Sequence, residues 1–278
     1  TISNGRRMSV AHCYITPAAK RSNMHIVTEA RAEQLLFDGQ RCIGVRYARG
    51  EQRYEARANL EVVSAAGAIN SPALLERSGI GSPAVLEMAG IDVRLDLPGV
   101  GEGLRDHLAP RMGWAITRPR VSYNDRARGV GLAWQIFIYL TTRRGFVSLP
   151  TASVLAFVKT REGLVAPDGQ IHFMPYTYTA SRQLHKRAGM TVIVYQMRPE
   201  SLGSVHIRTA RPQDAPAIDF NFLANELDRR TTIDGVRYAR KILSAKALNG
   251  IIGAEFKPGA KLQSDDEILD WVRRSAET

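Results

Sequence analysis

The sequence has few cysteines, a deficit of acidic residues and no long apolar run. Its two cysteines, Cys13 and Cys42, cannot form a disulfide framework or a four-cysteine metal site. Its longest apolar runs, such as Ile251–Phe256, are too short to cross a bilayer, so we expect no integral membrane segment. With 278 residues, 44% of them hydrophobic, the chain is typical of a globular protein of one large domain or about two ordinary ones.

Several motifs that would indicate a particular cofactor, metal site or catalytic reaction are also missing. The sequence contains no G-x-G-x-x-G, Walker A or G-x-S-x-G pattern, and its six histidines show neither H-x-x-x-H nor H-E-x-x-H spacing, which disfavours a zinc site. Asp106 and His107 are adjacent, so their side chains diverge on any regular element and cannot form a dyad by themselves. The residues alone therefore indicate no catalytic group.

The charge is strongly basic, with 38 Lys and Arg against 27 Asp and Glu, a net +11. The basic residues are dispersed in short runs rather than gathered in one block. This pattern favours solvated faces, or a surface that meets an anionic cofactor or another chain segment, over a nucleic-acid interface. A basic nucleic-acid binder remains only a distant alternative.

The first sixty residues predict a short helix followed by a β-meander. Asp38-Gly39 is a strong turn pattern between two apolar runs, because glycine tolerates positive φ. The predicted elements are a helix over Ser9–Ala19 and strands over Met24–Glu29, Ala32–Phe37, Cys42–Tyr47 and Tyr54–Ala58.

The next segment predicts a buried strand that enters a tight turn and then a helix. Leu60–Gly67 is an apolar run ending in small residues. Ser71 is the expected N-cap, Pro72 suits the first helical position, and Gly79 is the expected left-handed terminator. In this arrangement backbone N–H groups and a helix N-terminus can face a bound anion.

After Pro98 the pattern changes to strands with short connections, which predicts a mostly antiparallel sheet. The helix that begins at Asp265 has a capping box, Ser264 to Glu267, and one apolar face. The fold class predicted is mixed α+β. The predicted strands are Arg111–Thr117, Ala152–Thr160, Ile171–Tyr178, Thr191–Met197 and Ser204–Thr209, and the predicted helices are Gly131–Thr142, Leu227–Ala247 and Asp265–Arg274.

Some side chains of these strands have two interpretations. His172 and His206 could line a pocket on the sheet, or could be half-buried, hydrogen-bonded residues. The same choice, between an alcohol pocket and ordinary packing of a sheet face, applies to four aromatic residues: Trp114, Tyr176, Tyr178 and Tyr195.

Gly67–Gly81 matches, at every specified position, the second signature of the glucose–methanol–choline (GMC) oxidoreductases. The resemblance runs from Gly5 to Thr278 and is greatest towards bacterial choline dehydrogenase-like alcohol dehydrogenases and oxidases. Gly103 and Leu202 depart from it, since the family usually has Asn and Arg there. Three further segments resemble family motifs: Gly5–Ser9, Leu97–His107 and Pro216–Leu223.

The resemblance implies an FAD-dependent oxidoreductase that converts an alcohol to a carbonyl by hydride transfer to flavin. It also implies that this chain is the middle of a longer enzyme, with the N-terminal G-x-G-x-x-G unit and the C-terminal catalytic histidine pair lying outside it. No residue here is therefore assigned as catalytic. The implied domains are residues 1–110, a partial FAD-binding Rossmann-like domain; 111–220, a substrate-binding antiparallel sheet; and 221–278, a helical segment that returns to the FAD domain.

The resemblance also assigns binding residues. It places a backbone contact to adenine on Ala32 and the ADP half of FAD beside Ala65, Ala66 and Gly67, next to the Ser71 helix start. Ser153 falls where choline-specific members have a carboxylate for the trimethylammonium group, which weakens the case for choline. Tyr176 is the second substrate-binding residue.

These residues and the resemblance together predict a small alcohol as substrate, FAD as cofactor, no metal, and either a homo-oligomer or a complementing chain segment as partner. The expected location is the cytoplasm. We expect this chain alone neither to hold FAD tightly nor to turn over. The alternative is a non-catalytic ligand-binding or assembly module derived from the same family.

Overall fold

The computed structural model describes residues 2–179 and 181–278. They divide into two compact units, each assembled from separated stretches of chain. The sheet unit comprises the N-terminal stretch up to Lys20, His107–Glu200 and Asn225–Thr278. The meander unit comprises Arg21–Asp106 and Ser201–Ala224. The predicted mixed helix-and-sheet class is confirmed, whereas the three-part functional division of the chain stays a prediction.

The strands within the described residues are numbered in chain order. They are β1 (Ile2–Ser3), β2 (Arg6–Arg7), β3 (Arg31–Asp38), β4 (Arg41–Arg49), β5 (Gln52–Arg57), β6 (Ile80–Gly81), β7 (Leu95–Asp96), β8 (Glu102–Leu104), β9 (Arg111–Ile116), β10 (Val154–Val158), β11 (Gly169–Met174), β12 (Gly189–Gln196), β13 (Gly203–His206), β14 (Ala217–Asp219) and β15 (Ile252–Lys257).

The helices are numbered in the same way. The α-helices are α1 (Thr16–Ala18), preceded by a π-helical turn at Ala11–Ile15, α2 (Gly67–Arg77), α3 (Pro83–Met88), α4 (Tyr123–Arg126), α5 (Gly129–Thr142), α6 (Glu226–Leu243) and α7 (Asp265–Ser275), with 3₁₀ turns at Phe146–Ser148 and Lys246–Leu248. None of the helices described in residues 2–179 and 181–278 is long and apolar enough to cross a membrane.

The sheet unit is built on a five-stranded antiparallel sheet with the order β10-β11-β12-β9-β15. The central strand β12 is buried along most of its length, which explains its nearly continuous apolar run. Helix α6 packs on one face against β11 and β12. Gly235 permits this approach, because any larger residue there would place its Cβ 2.5 Å from Cγ1 of Val194, which is a steric clash.

Strand β15 was not predicted. It pairs with β9, but the register shifts twice between Ile252 and Lys257. These shifts break the alternation of side chains by which a strand is recognised in a sequence. Helix α7 matches its prediction closely: both hydrogen bonds of the capping box between Ser264 and Glu267 form, and Ile268 and Val272 are fully buried.

The meander unit contains the predicted hairpin and its third strand, β3-β4-β5, joined by antiparallel pairs. Helix α2 packs against β3. A second sheet has the order β14-β13-β8, so the strand predicted over Ser204–Thr209 belongs to this unit and not to the large sheet. The short strands β6 and β7 pair in parallel.

Three local predictions for the meander unit are wrong. Met24–Glu29 is not a strand. The run Leu60–Gly67 is neither a strand nor buried: Leu60 is 89% and Val63 77% exposed, because no described strand pairs with this segment. Ser71 is not the N-cap, since α2 begins four residues earlier at Gly67 and contains Pro72 in its interior.

Candidate functional site

The N-terminus of α2 carries four of the five predicted cofactor-binding residues. Ala65, Ala66 and Gly67 are exposed, and the backbone N–H of Ala66 donates a hydrogen bond to Oγ of Ser71 at 3.1 Å. Ser71 therefore stabilises the turn before α2 from inside the helix, although it is not the cap. This contact joins Ser71 to Ala66; that these residues bind the cofactor stays a prediction.

The backbone at this turn can be approached closely. Gly67 has φ +85°, a conformation that disfavours a side chain, and a Cβ built there would meet nothing within 4 Å. The first turn of α2 contains no acidic side chain. A small, open, non-acidic helix N-terminus is suited to an anionic group, because the partial positive charge of the helix end is not cancelled.

Ala32, the fifth predicted cofactor residue, lies in β3 and is half-buried. Its strand is at the edge of the meander, paired on one side through Ala32 with Tyr47. Ser78 ties α2 to the same strand: its Oγ accepts from Leu35 N–H at 2.9 Å and donates to Leu74 O at 2.7 Å. The structure thus positions the Ala32 strand and α2 rigidly within one unit.

In the sheet unit, the two predicted substrate-binding residues are linked through Tyr123. The hydroxyl of Tyr123 lies 3.1 Å from Oγ of Ser153, and its ring stacks on Tyr176 with centroids 6.2 Å apart. Burial and the neighbouring Tyr178 hydroxyl raise the pKa of Tyr176. Ser153 is exposed, whereas Tyr176 is half-buried at the wall of a cavity.

That cavity has a volume of about 320 Å³. Arg111, at its wall, forms an ion pair with Glu277 at 3.2 Å and donates a hydrogen bond to the hydroxyl of Tyr178. Sequence analysis missed both Arg111 and Glu277, because they lie 166 positions apart and neither belongs to a motif. The cavity is lined by Arg111, Thr151, Met174, Tyr176, Tyr178, Arg182, Leu184 and Glu277.

The same face of the sheet carries His172 and Tyr195. Their rings meet edge to face with centroids 4.7 Å apart. Burial lowers the pKa of His172. Burial also raises the pKa of Tyr195, and the positive charge of Arg111 partly offsets that rise. Nε2 of His172 is buried and has no hydrogen-bond partner among residues 2–179 and 181–278. The imidazole is therefore neutral near pH 7 and keeps one polar atom available.

Two of the alternatives left open by the sequence are decided by contacts. Trp114 is 5% exposed and pairs with Met190, so its side chain lies on the same face of the sheet as Val194. Val194 packs against α6, and Trp114 is therefore a core residue. His206 is hydrogen-bonded to Glu76 and Glu102, so it is the half-buried, hydrogen-bonded residue of the second interpretation and does not line a pocket on the large sheet.

A buried amide also supports the cavity. Asn124, only 1% exposed, donates through Nδ2 to the carbonyls of Thr177 and His185 at 2.8 and 2.7 Å. Its Oδ1 accepts from Thr177 N–H at 2.8 Å. These bonds hold the segment after β11, on which Tyr176 and Tyr178 lie. No sequence motif pointed to Asn124.

Models of known protein families match the chain at both ends. Two family models described as GMC oxidoreductase match the chain, the N-terminal model over residues 1–109 and the C-terminal model over residues 199–278. An oxygen-dependent choline dehydrogenase of Pseudomonas fluorescens (strain Pf0-1) is 39% identical over 99% of the chain. The chain spans 49% of the length of that relative.

Solved structures of the same architecture include pyridoxine 4-oxidase from Mesorbium loti, with a TM-score of 0.82 and 26% identity over 99% of this chain and 50% of that one. An FAD-dependent oxidoreductase from Chaetomium thermophilum matches in fold with a TM-score of 0.82 and 23% identity, over 94% of this chain and 52% of its own. Family models, relatives and fold all agree: the chain belongs to the GMC oxidoreductases, a family of FAD-dependent enzymes.

Proposed function

We propose that the protein containing this chain oxidises a small alcohol to a carbonyl compound with FAD, and that the chain supplies part of the FAD-binding domain and the substrate-binding sheet. The observation that carries this proposal is the sheet face with Tyr176, Tyr195 and His172, whose Nε2 has no hydrogen-bond partner among the described residues. It combines apolar walls with a few polar atoms, as small-molecule sites do.

The residues at the start of α2 fit the ADP half of FAD. Ala65, Ala66 and Gly67 leave the backbone open, and the absence of an acidic side chain in the first turn avoids repulsion of phosphate groups. Ser71 fixes this turn through Ala66 N–H, and Ala32 offers backbone atoms on an edge strand. When bound, FAD supplies the two-electron acceptor chemistry, while the protein supplies position and electrostatics.

The residues of the sheet bind and orient the alcohol. Tyr176 forms an apolar wall, and its raised pKa keeps the phenol protonated at neutral pH, so it remains a hydrogen-bond donor. Ser153 supplies a hydroxyl held by Tyr123. A cavity of about 320 Å³ suits a substrate at the small end of the usual range.

The charges around this cavity favour a neutral or anionic alcohol over choline. Its ionised side chains are Arg111 and Arg182 against the single carboxylate of Glu277, which is already paired with Arg111. A trimethylammonium group would meet this excess of positive charge at short range, where repulsion is strong. Ser153, which stands where choline-specific members carry a carboxylate, would not offset it.

The test is anaerobic flavin reduction by the full-length protein, followed at the flavin absorbance bands with choline, a neutral aliphatic alcohol and a hydroxy acid. We expect reduction by an alcohol, slowest with choline, and a several-fold higher KM in the Tyr176→Ala variant. Thr141→Val, on an exposed position of α5, is the matched control. A full-length protein without flavin bands would instead support the non-catalytic ligand-binding module.

A further inference from the structure

One cavity of the meander unit lies at the opposite end of α2 from Ala65, Ala66 and Gly67. It has a volume of about 720 Å³ and is open at the C-terminal end of α2, with walls from the meander and from the turn that follows α3. Arg77 ends α2, ten residues after Gly67, which is about 15 Å along the helix axis. The cavity is therefore separate from the open turn at the helix N-terminus.

The ionised groups that line this cavity are mainly cationic. Four guanidinium groups face two carboxylates, those of Glu33 and Asp92. Arginine presents several N–H donors in a planar fork that matches oxyanions, and a cavity walled by such groups concentrates anions. The four are Arg46, Arg53, Arg77 and Arg94.

Arg77 is the group that the fold leaves unsatisfied. Its Nε is buried and has no hydrogen-bond partner within the described part of the chain. Burial and the positive charge of Arg31 lower the pKa of Arg77, whereas the charges of Glu33 and Glu76 act in the opposite direction. A buried donor without a partner costs free energy, so the described residues do not fully satisfy this guanidinium group.

Glu33 and Glu76, the two carboxylates whose charges act on Arg77, already have other hydrogen-bond partners. Glu33, 5% exposed, accepts from Arg31 at 3.0 Å and from Arg53 at 2.9 Å, one on each oxygen. Glu76 uses its two oxygens for His206 and for the backbone N–H of Ile207. The oxygens of both carboxylates are therefore used by donors other than Arg77.

We propose that this cavity is an anion-binding site that takes a small multivalent oxyanion, inorganic phosphate or the phosphoryl group of a phosphomonoester, with Arg77 at its base. Arg46 and Arg53 lie at the open side, with side chains 41% and 62% exposed, and each has guanidinium donors beyond those used by Gln34, Glu55 and Glu33. The ligand accepts hydrogen bonds from the guanidinium group of Arg77, which lines the cavity, and balances the excess positive charge.

The experiment is equilibrium dialysis of the chain against radiolabelled inorganic phosphate in dilute sodium chloride. We expect saturable binding to one site, and at least a tenfold weaker affinity in the Arg77→Gln variant. One matched variant should bind within twofold of the parent: Arg57→Gln, an arginine of the same meander with a 69% exposed side chain.

Thermal unfolding of each variant separates lost binding from lost structure. If Arg77→Gln does not fold, Arg46→Gln at the rim replaces it and should weaken phosphate about threefold. Competition by glycerol phosphate distinguishes the ligand sources: tighter binding indicates a phosphomonoester, and equal or weaker binding indicates free phosphate. The absence of saturable binding overturns the proposal, as does an equal loss in Arg57→Gln.

Discussion

Nδ1 of His206 lies 2.6 Å from Oε1 of Glu76, a carboxylate whose side chain has no exposed surface. The other oxygen of Glu76 accepts from Ile207 N–H at 2.8 Å, and Nε2 of His206 lies 2.9 Å from Oε1 of Glu102. The imidazole is thus held between two carboxylates from α2 and β8. Burial alone would lower its pKa, but these hydrogen bonds and charges outweigh burial, and the pKa of His206 is raised.

This arrangement predicts a pH-dependent stability of the chain. Because the folded pKa of His206 exceeds its unfolded value of about 6.5, the protonated imidazole stabilises the fold fully below that value. The stabilisation is lost as the pH rises through the folded pKa. We expect the free energy of unfolding, from urea titrations, to fall over the range above about pH 6.5. A His206→Asn variant should show a flatter profile there, and parallel profiles would contradict this role.

The buried carboxylate of Glu76 on α2 is expected to contribute strongly to the free energy of unfolding. In Glu76→Gln the neutral amide cannot accept from both Ile207 N–H and His206 as the carboxylate does, which leaves a buried polar group unsatisfied. We expect a loss of about 2 kcal/mol in the free energy of unfolding. The His206 ring resonances, titrated by NMR, should also report a lower pKa. Glu87→Gln, at an exposed position of α3, is the control and should change neither quantity.

Asn124 is expected to hold the wall of the substrate cavity. Asn124→Ala removes its hydrogen bonds to Thr177 and to the His185 carbonyl, and should reduce the free energy of unfolding by about 3 kcal/mol. Hydrogen exchange at the Thr177 and His185 amides should accelerate before global unfolding. Asn249→Ala, at an exposed turn, should leave both measurements unchanged. Unaltered exchange in Asn124→Ala would show that the wall does not depend on this amide.

Gly67 at the start of α2 and Gly79 just after its end should tolerate alanine differently. Both have positive φ, +85° at Gly67 and +82° at Gly79, so both substitutions cost about 1 kcal/mol in backbone strain. At Gly79 the added Cβ would also lie 2.7 Å from the carbonyl oxygen of Asp92, whereas at Gly67 it meets nothing within 4 Å. Urea unfolding should therefore show a loss of more than 2 kcal/mol for Gly79→Ala only. Equal losses would mean that the Asp92 turn shifts freely.

The elements that were predicted correctly have their causes close together in the sequence. The capping box from Ser264 to Glu267 fixes the start of α7, the Asp38-Gly39 turn fixes the hairpin, and Gly79 ends α2. Each depends on backbone groups within a few residues of one another, and such interactions form whatever the rest of the chain does. The family, too, was recognisable from motifs of contiguous residues, Gly67–Gly81 above all.

The residues that sequence analysis misplaced depend on partners far along the chain. Leu60–Gly67 has the composition of a buried strand, but burial requires paired strands on its sides, and none of those described supplies them. Strand β15 pairs with β9, which lies more than a hundred residues earlier in the chain, and the register of this pairing shifts twice.

The sequence by itself determined the mixed fold class, the family and those local elements whose caps and turns are contiguous, since these follow from backbone propensities and contiguous motifs. Only the tertiary structure decided which side chains meet, such as His206 with Glu76 at 130 positions' separation and Arg111 with Glu277. It also decided that Nε of Arg77 has no acceptor within residues 2–179 and 181–278. The reason is that hydrogen-bond saturation and burial are properties of three-dimensional neighbours, and the order of residues does not specify them.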